Sequence, residues 1–422
     1  MSPFAWYRRL FELTGTPYIL VAFIARLPLA MSQLGTLLLV SHTTHSYGLG
    51  GLAAGALAVS NAIGAPYAGS LADRWGQRHV VLVQSLAGAV SLTLLVGLAH
   101  VGASDAAIMA TAALAGLTMP QVGPLARVRW RPITAGSGED QRRLIDVAFS
   151  YEGAADEASF AVGPALVGLG VVAISPGGAL LLAAATLAVF GSSFALHRTA
   201  RVVPDDAVRQ HAGERSAAAL LTPVLMILIA AQLLIGMLFG ATQTGTTVLA
   251  TDAGQPGLAG LVHATLGVGS ALAGVGTVFI PERIGPERRT LVAVAALLVL
   301  SLPLLLVGGL PTLVPVVAVL GCGVAPFMIG VFTMAERVVA PSRVATAMTM
   351  LASATGLGYA AGSTLAGRLA DRYGYTAAFT VTVSAMAVAF LLILGSQPRL
   401  RRALAASVEP EPAEQVALSI EA

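Results

Sequence analysis

Four ionisable residues stand where an apolar sequence should hold none. Arg26 lies within an apolar run near 16–40, and Glu152, Asp156 and Glu157 lie within another near 145–171. Ionisable groups at membrane depth are costly and usually functional. On a helix Glu152 and Asp156 are i, i+4 and share a face. Glu157 is turned by about 100° from Asp156. If the two runs pack side by side, one acid can neutralise Arg26; holding all three carboxylates ionised at mid-membrane would be expensive. At least one is therefore expected to be protonated for part of a working cycle. The expected arrangement pairs Arg26 with Asp156 or Glu157, and of these the favoured one has Asp156 on Arg26 and Glu157 carrying the proton. A static ion-pair staple would explain Arg26 with one acid, but it explains a cluster of three poorly.

Composition sets the elements that must hold these charges. Of 422 residues, 56% are apolar and 11% charged, against about 25% charged in soluble domains. Mean hydropathy is +0.80, so water is the wrong solvent for most of the chain. A bilayer core takes roughly 20 apolar residues per helix. By that rule twelve spans are expected, near 16–40, 50–71, 80–100, 106–126, 145–171, 178–197, 222–250, 257–280, 290–308, 312–335, 344–367 and 376–396. Nothing resembles a cleavable signal peptide, and Trp6, Tyr7, Arg8 and Arg9 suit an interfacial anchor. The lone Cys322 excludes an intrachain disulfide and a cysteine metal cluster. No metal or cofactor is expected.

All 24 basic residues are Arg, which reads as the mark of a GC-rich bacterial genome. With both ends inside, only Arg368 and Arg372 fall in outer loops, and Arg26 falls within a span. This asymmetry predicts cytoplasmic termini in a bacterial inner membrane. Basic residues confined to short loops give nucleic-acid binding no support. The polar stretch from His197 to Ser216 divides the chain. Expected units are a six-helix bundle over 1–196, a linker over 197–221, a second bundle over 222–397 and a disordered tail over 398–422.

An internal repeat is visible. Gly69-Ser-Leu-Ala-Asp73-Arg74-Trp-Gly76 recurs as Gly367-Arg-Leu-Ala-Asp371-Arg372-Tyr-Gly374, and a degraded copy runs from Pro281 to Arg289. By the predicted topology the first and third copies are cytoplasmic and the second is external. Related turns on opposite faces are what inverted three-helix repeats produce.

The element Gly69-x3-Asp73-Arg74-x-Gly76-x-Arg78, between the second and third spans, resembles the signature loop of the major facilitator superfamily. Span number, six-plus-six division and central loop extend the resemblance over nearly the whole chain. The loop departs at Gln77, where a basic residue is usual, and His79 follows Arg78. The resemblance implies an all-α polytopic fold of twelve transmembrane helices in two six-helix halves. It also implies that Asp73 pairs across the cytoplasmic gate, with Arg127 the candidate partner. Gly163-Pro164 and Gly168 resemble the antiporter motif of proton-coupled exporters, although Ser150 and Ser159 stand where upstream Gly is usual.

Cavity-lining spans in that family are the first and seventh. Gln33 shares a face with Arg26, and Gln232, Gly236, Phe239 and Gln243 follow i, i+4, i+7, i+11. Gln33, Gln232, Phe239 and Gln243 are thus candidates for substrate contact, with interhelical hydrogen bonding the competing reading. His263 can titrate, but packing is the commoner role. Glu336 and Arg337 fit a gate, and Phe327, Met328 and Phe332 fit core packing better than a cavity.

A chain without Lys cannot form a GxxxxGK[ST] nucleotide loop, and no HExxH or GxSxG is present. An intramembrane enzyme is therefore not expected, and a scaffold would need larger soluble loops. The expectation is a monomeric secondary transporter that moves small, partly apolar organic molecules out of the cell against protons. The alternative is a proton-coupled importer of a sugar or other metabolite.

Overall fold

The computed structural model describes residues 3–45, 47–201, 222–255, 258–281 and 283–406. Helix α1 (Pro3–Thr14) precedes the first span, which is broken into α2 (Thr16–Ile24) and α3 (Leu27–Thr44). Then follow α4 (Tyr47–Trp75), α5 (Gln77–His100), the broken pair α6 (Asp105–Leu117) and α7 (Val122–Ile133), and α8 (Gln141–Ala173). The sixth span is α9 (Pro176–Thr186) and α10 (Ser192–Leu196), joined by a π-helical turn. The second half holds α11 (Pro223–Asp252), α12 (Leu258–Gly276), α13 (Pro286–Ser301), α14 (Leu310–Val338), α15 (Val344–Tyr373) and α16 (Tyr375–Ala406).

Ten of these segments are long and apolar enough to cross a membrane. The other two long helices, α4 and α15, are rich in Gly, Ala, Ser and Thr. They pack against each other between the halves. Twelve spans in two six-helix halves is the architecture expected from hydropathy.

Leu86, Val90 and Leu94 follow i, i+4, i+8 along α5 and are all exposed. Such a stripe suits a surface that faces lipid. Within the halves, small residues set the closest crossings. A Cβ on Gly236 or Gly240 of α11 would lie 2.9 Å from Tyr359 N and 2.8 Å from Ser363 N of α15. On α15, a Cβ on Gly358 or Gly362 would meet the Leu233 and Met237 backbone. Both helices therefore carry a small-x3-small interface.

Most of the linker, 202–221, lies outside the described residues. The expected tail boundary at 398 is too early, because α16 continues through Pro398 to Ala406. Its last turns are held by Gln397 Nε2 donating to Glu287 O at 3.0 Å, by the buried Leu400 and by an Arg401–Glu287 pair at 3.8 Å. The tail beyond 406 lies outside the described residues.

Candidate functional site

Two helix breaks place the buried charges. Pro28 lacks the N–H that would close on Ile24, so the first span breaks after α2 and Arg26 becomes the residue flanking α3. Pro120 breaks the fourth span between α6 and α7 and denies the Gly116 carbonyl its i+4 donor, leaving it Met119 N at 3.2 Å. Asn61, the chain's one Asn, donates to Gly116 O at 3.1 Å and to Met119 O at 3.4 Å. Gln121 Nε2 in turn donates to Asn61 Oδ1 at 3.1 Å. The break is thus satisfied, and α7 carries Arg127, Arg129 and Trp130 into the interior.

The Arg26 guanidinium pairs with Glu152 through Nη2 and with Asp156 through Nε, the latter at 2.9 Å. Its Nη1 donates to Ala22 O at 3.1 Å. Asp156 also receives Arg127 Nη1 at 2.7 Å, and Glu152 receives Trp130 Nε1 at 2.7 Å. Arg26 and Arg127 are almost fully buried, as is Glu152, while the Asp156 side chain is 22% exposed. Arg127 also lies over the Phe332 ring of α14, 4.3 Å from its centroid. Burial of two cations is compensated here as it must be, by paired and hydrogen-bonded carboxylates.

The expected charge balance needs one correction. Arg26 is not the sole cation facing the acids; Arg127 is a second. Two guanidinium groups thus face Glu152, Asp156 and Glu157. Glu157 forms no ion pair among the described residues and faces Ser270 of α12.

A second correction concerns Asp73. It does not pair with Arg127, which is spent on Asp156. Asp73 instead accepts from the amino end of α15: Ala345 N at 3.2 Å, Thr346 N at 2.8 Å and Thr346 Oγ1 at 2.5 Å. A helix amino end offers unsatisfied N–H groups and a positive dipole, so it serves a carboxylate as well as a guanidinium would. Gly69 permits the approach, since a Cβ there would strike the Thr349 hydroxyl and lie 2.8 Å from Ala345 O. Gly76 turns the chain at φ 81°, and its repeat counterpart Gly374 does so at φ 77°. Gln77, at the position where a basic residue is usual, is buried and accepts from Arg129 Nε at 3.0 Å. A cation there would face another cation. Arg74 is exposed in the last turn of α4 and Arg78 is half-buried at the start of α5, and neither forms an ion pair among the described residues.

More polar contacts join the halves at this Arg-rich end. Arg131 meets Glu336 at 3.1 Å, and Asp146 receives Arg337 at 2.7 Å and Arg289 at 3.6 Å. Arg143 donates to Ile280 O at 3.2 Å and to Val278 O. Tyr7 of α1 bonds Ser150 at 3.0 Å and donates to Val275 O at 3.1 Å; burial raises its phenol above the ordinary value. Ser150 continues to Thr277 at 2.6 Å. The halves are therefore closed against each other at the Arg-rich end. Asp146, Arg131 and Trp130 were not singled out by sequence, and Tyr7 was read there as an interfacial anchor, not as a contact between the halves. The one available signal was Trp130 standing three residues after Arg127, on the same helical face.

The remaining expected residues are dispersed. Gly163 packs α8 on the first span, where a Cβ would lie 2.6 Å from Ala30 Cβ; Gly168 has open space beside it. Pro164 lies inside α8. Gln33 is exposed. Gln232 is fully buried and accepts from Thr355 at 3.4 Å, so it bridges α11 and α15 instead of facing a cavity. Gln243 accepts from Tyr359 at 2.8 Å, and Phe239 packs on the core of the second half, as do Phe327, Met328 and Phe332. No cluster of three or more metal-ligating side chains occurs among the described residues.

Residues 18–339 and 282–419 match the family model of the Major Facilitator Superfamily; the chain belongs to that family. Solved structures show the same fold. The human organic anion transporter MFSD10 (TETRAN) is 21% identical, with a TM-score of 0.67 over 89% of this chain and 98% of that one. A bacterial homologue of the iron transporter ferroportin, in its outward-facing state, is 13% identical with a TM-score of 0.70 over 90% and 98%. The E. coli fucose:proton symporter FucP is 13% identical with a TM-score of 0.63 over 90% and 98%. Among curated protein sequences nothing matches significantly.

Proposed function

We propose that this transporter is a proton-driven exporter of small, partly apolar organic molecules. It works as a monomer by alternating access in the bacterial inner membrane, with both termini cytoplasmic. The observation that carries the proton coupling is the charge count at mid-depth. Glu152 and Asp156 are consumed by Arg26 and Arg127, and Glu157 is the acid left over. An acid without a fixed cation can exchange its proton without dismantling an ion pair. In this reading the Arg-rich end is cytoplasmic and the described state faces outward.

Direction rests on the antiporter-like Gly163-Pro164 element, with Gly163 against the first span. The same acid would serve inward symport, so the sign of substrate-linked proton movement separates the two readings. Purified protein in liposomes with an entrapped pH dye would be given a panel of organic solutes. Exchange predicts substrate and proton moving in opposite directions. Movement in the same direction would establish the importer, and no solute-linked proton movement across the panel would refute proton coupling.

A further inference from the structure

The surplus acid sits on a boundary as well as in a cluster. Helix α8 belongs to the first half and α12 to the second, and they pack antiparallel along one seam. Ser150 Oγ contacts the Gly274 carbonyl and Thr277. A Cβ on Gly274 would lie 3.5 Å from Ala154 N, and one on Gly267 would lie 3.8 Å from Glu157 O and 3.9 Å from Ala161 Cβ. These contacts fix the register. The stripe His263, Gly267, Ser270, Gly274 of α12, at i, i+4, i+7, i+11, faces Ala154, Glu157 and Ala161 of α8.

Ser270 is fully buried on that stripe. Its hydroxyl has no partner at full hydrogen-bond geometry, unlike Thr265 and Thr277 of the same stretch, which donate to Val262 O and Gly274 O. The acidic side chain it faces is Glu157. A buried donor with no acceptor other than Glu157 and a carboxylate without an ion-pair partner therefore meet at the level where the halves touch. From Ser270 toward the Arg-rich end the seam is tied by the Ser150 and Tyr7 contacts.

We propose that Ser270 is a positioning residue that reads the protonation state of Glu157 across the seam between the halves. This rests on Glu157 being the proton carrier. The ionised carboxylate accepts from the Ser270 O–H, and a hydrogen bond to a charged acceptor is roughly twice as strong as a neutral one. It holds α8 against α12 in the state closed at the Arg-rich end. A proton arriving on Glu157 removes that charge, weakens the tie and lets the halves part. Other ionisable groups near Glu157 are Asp156 on its own helix and Arg127 on α7, with Arg26 held through Asp156. On the α12 stripe His263 lies seven residues outward of Ser270, about 10 Å along the helix axis. Glu336 and Arg337 of α14 and Arg8, Arg9 and Glu12 of α1 lie at the Arg-rich end.

Spin labels at Glu139 and Ser342, on opposite sides of the Arg-rich mouth, report its opening in liposomes as pH is varied. Wild type should open as pH falls. Ser270→Ala should raise the open fraction at high pH about five-fold and flatten the pH profile, and Ser270→Thr should restore both. Glu157→Gln should be open-biased and independent of pH. If Ser270→Ala titrates like wild type while Glu157→Gln does not titrate, the role of Ser270 is overturned and the proton site stands. If Glu157→Gln titrates like wild type, the proton site itself is overturned.

Discussion

Arg127 donates to the Asp156 carboxylate at 2.7 Å, and that one bond reassigns the roles of three charged residues. It removes Arg127 as a partner for Asp73. It gives Asp156 a second cation beside Arg26. It leaves Glu157 as the unpaired acid of α8. The bond also joins α7 to α8, two helices of the first half.

The pair should be far costlier to halve than to remove. Arg127→Leu leaves Asp156 on Arg26 alone, and Asp156→Leu leaves Arg127 buried without a counter-charge. Breaking a buried pair from one side costs about 3–5 kcal/mol, whereas replacing both partners by apolar residues is often close to neutral. Thermal unfolding in detergent should therefore rank the double variant above either single one. Strictly additive losses would refute the coupling.

Asp73 caps α15 across the boundary between halves, so its loss should act on conformation more than on folding. Removing a helix cap costs about 1 kcal/mol, near a five-fold change in the ratio of closed to open states. Asp73→Ala should raise labelling of a cysteine placed at Ser342 by about that factor. Asp73→Asn, which keeps one acceptor oxygen, should fall between. Gly69→Val should mimic the open bias by obstructing Thr349 and Ala345 O. Unchanged labelling in all three would show that the loop is only an anchor.

Both termini are expected on the cytoplasmic side. Reporter fusions at Gln210 and at the carboxyl terminus should both report cytoplasm. A periplasmic signal from either would reverse the assignment of the Arg-rich end.

Much of this was legible in the sequence, because hydropathy and Arg placement act along the chain. The spans, the division into halves and the matching turns at Gly76 and Gly374 needed only local rules. The breaks within the first and fourth spans were not anticipated, although Pro28 and Pro120 each lack the N–H that a continuous helix needs. Partnership across helices was not legible. Whether Arg127 reaches Asp73 or Asp156 depends on the rotation of α7 after the break at 118–121, and no local pattern encodes it. Asn61 shows the same limit. Its task of bonding the Gly116 and Met119 carbonyls at the break appears only once α4 is packed on α6.

The acids of α8 should separate by role. Glu152→Gln weakens an acceptor shared by Arg26 and Trp130, and Asp156→Asn deprives Arg127 of its counter-charge. Both should lower thermal stability, and transport should fall with the folded fraction. Glu157→Gln removes a charge that has no cation to lose, so stability should hold or rise. Uphill transport driven by a pH gradient should vanish in Glu157→Gln, because an amide cannot take up and release the proton. Substrate counterflow, which needs alternating access but no proton cycle, should persist. The pattern that identifies the coupling residue is thus loss of uphill transport with counterflow and melting temperature retained. Were Glu152→Gln or Asp156→Asn to show that pattern instead, the proton would reside within the ion-paired cluster. Were all three to retain gradient-driven transport, His263 and Glu336 would be the next acids and bases to neutralise.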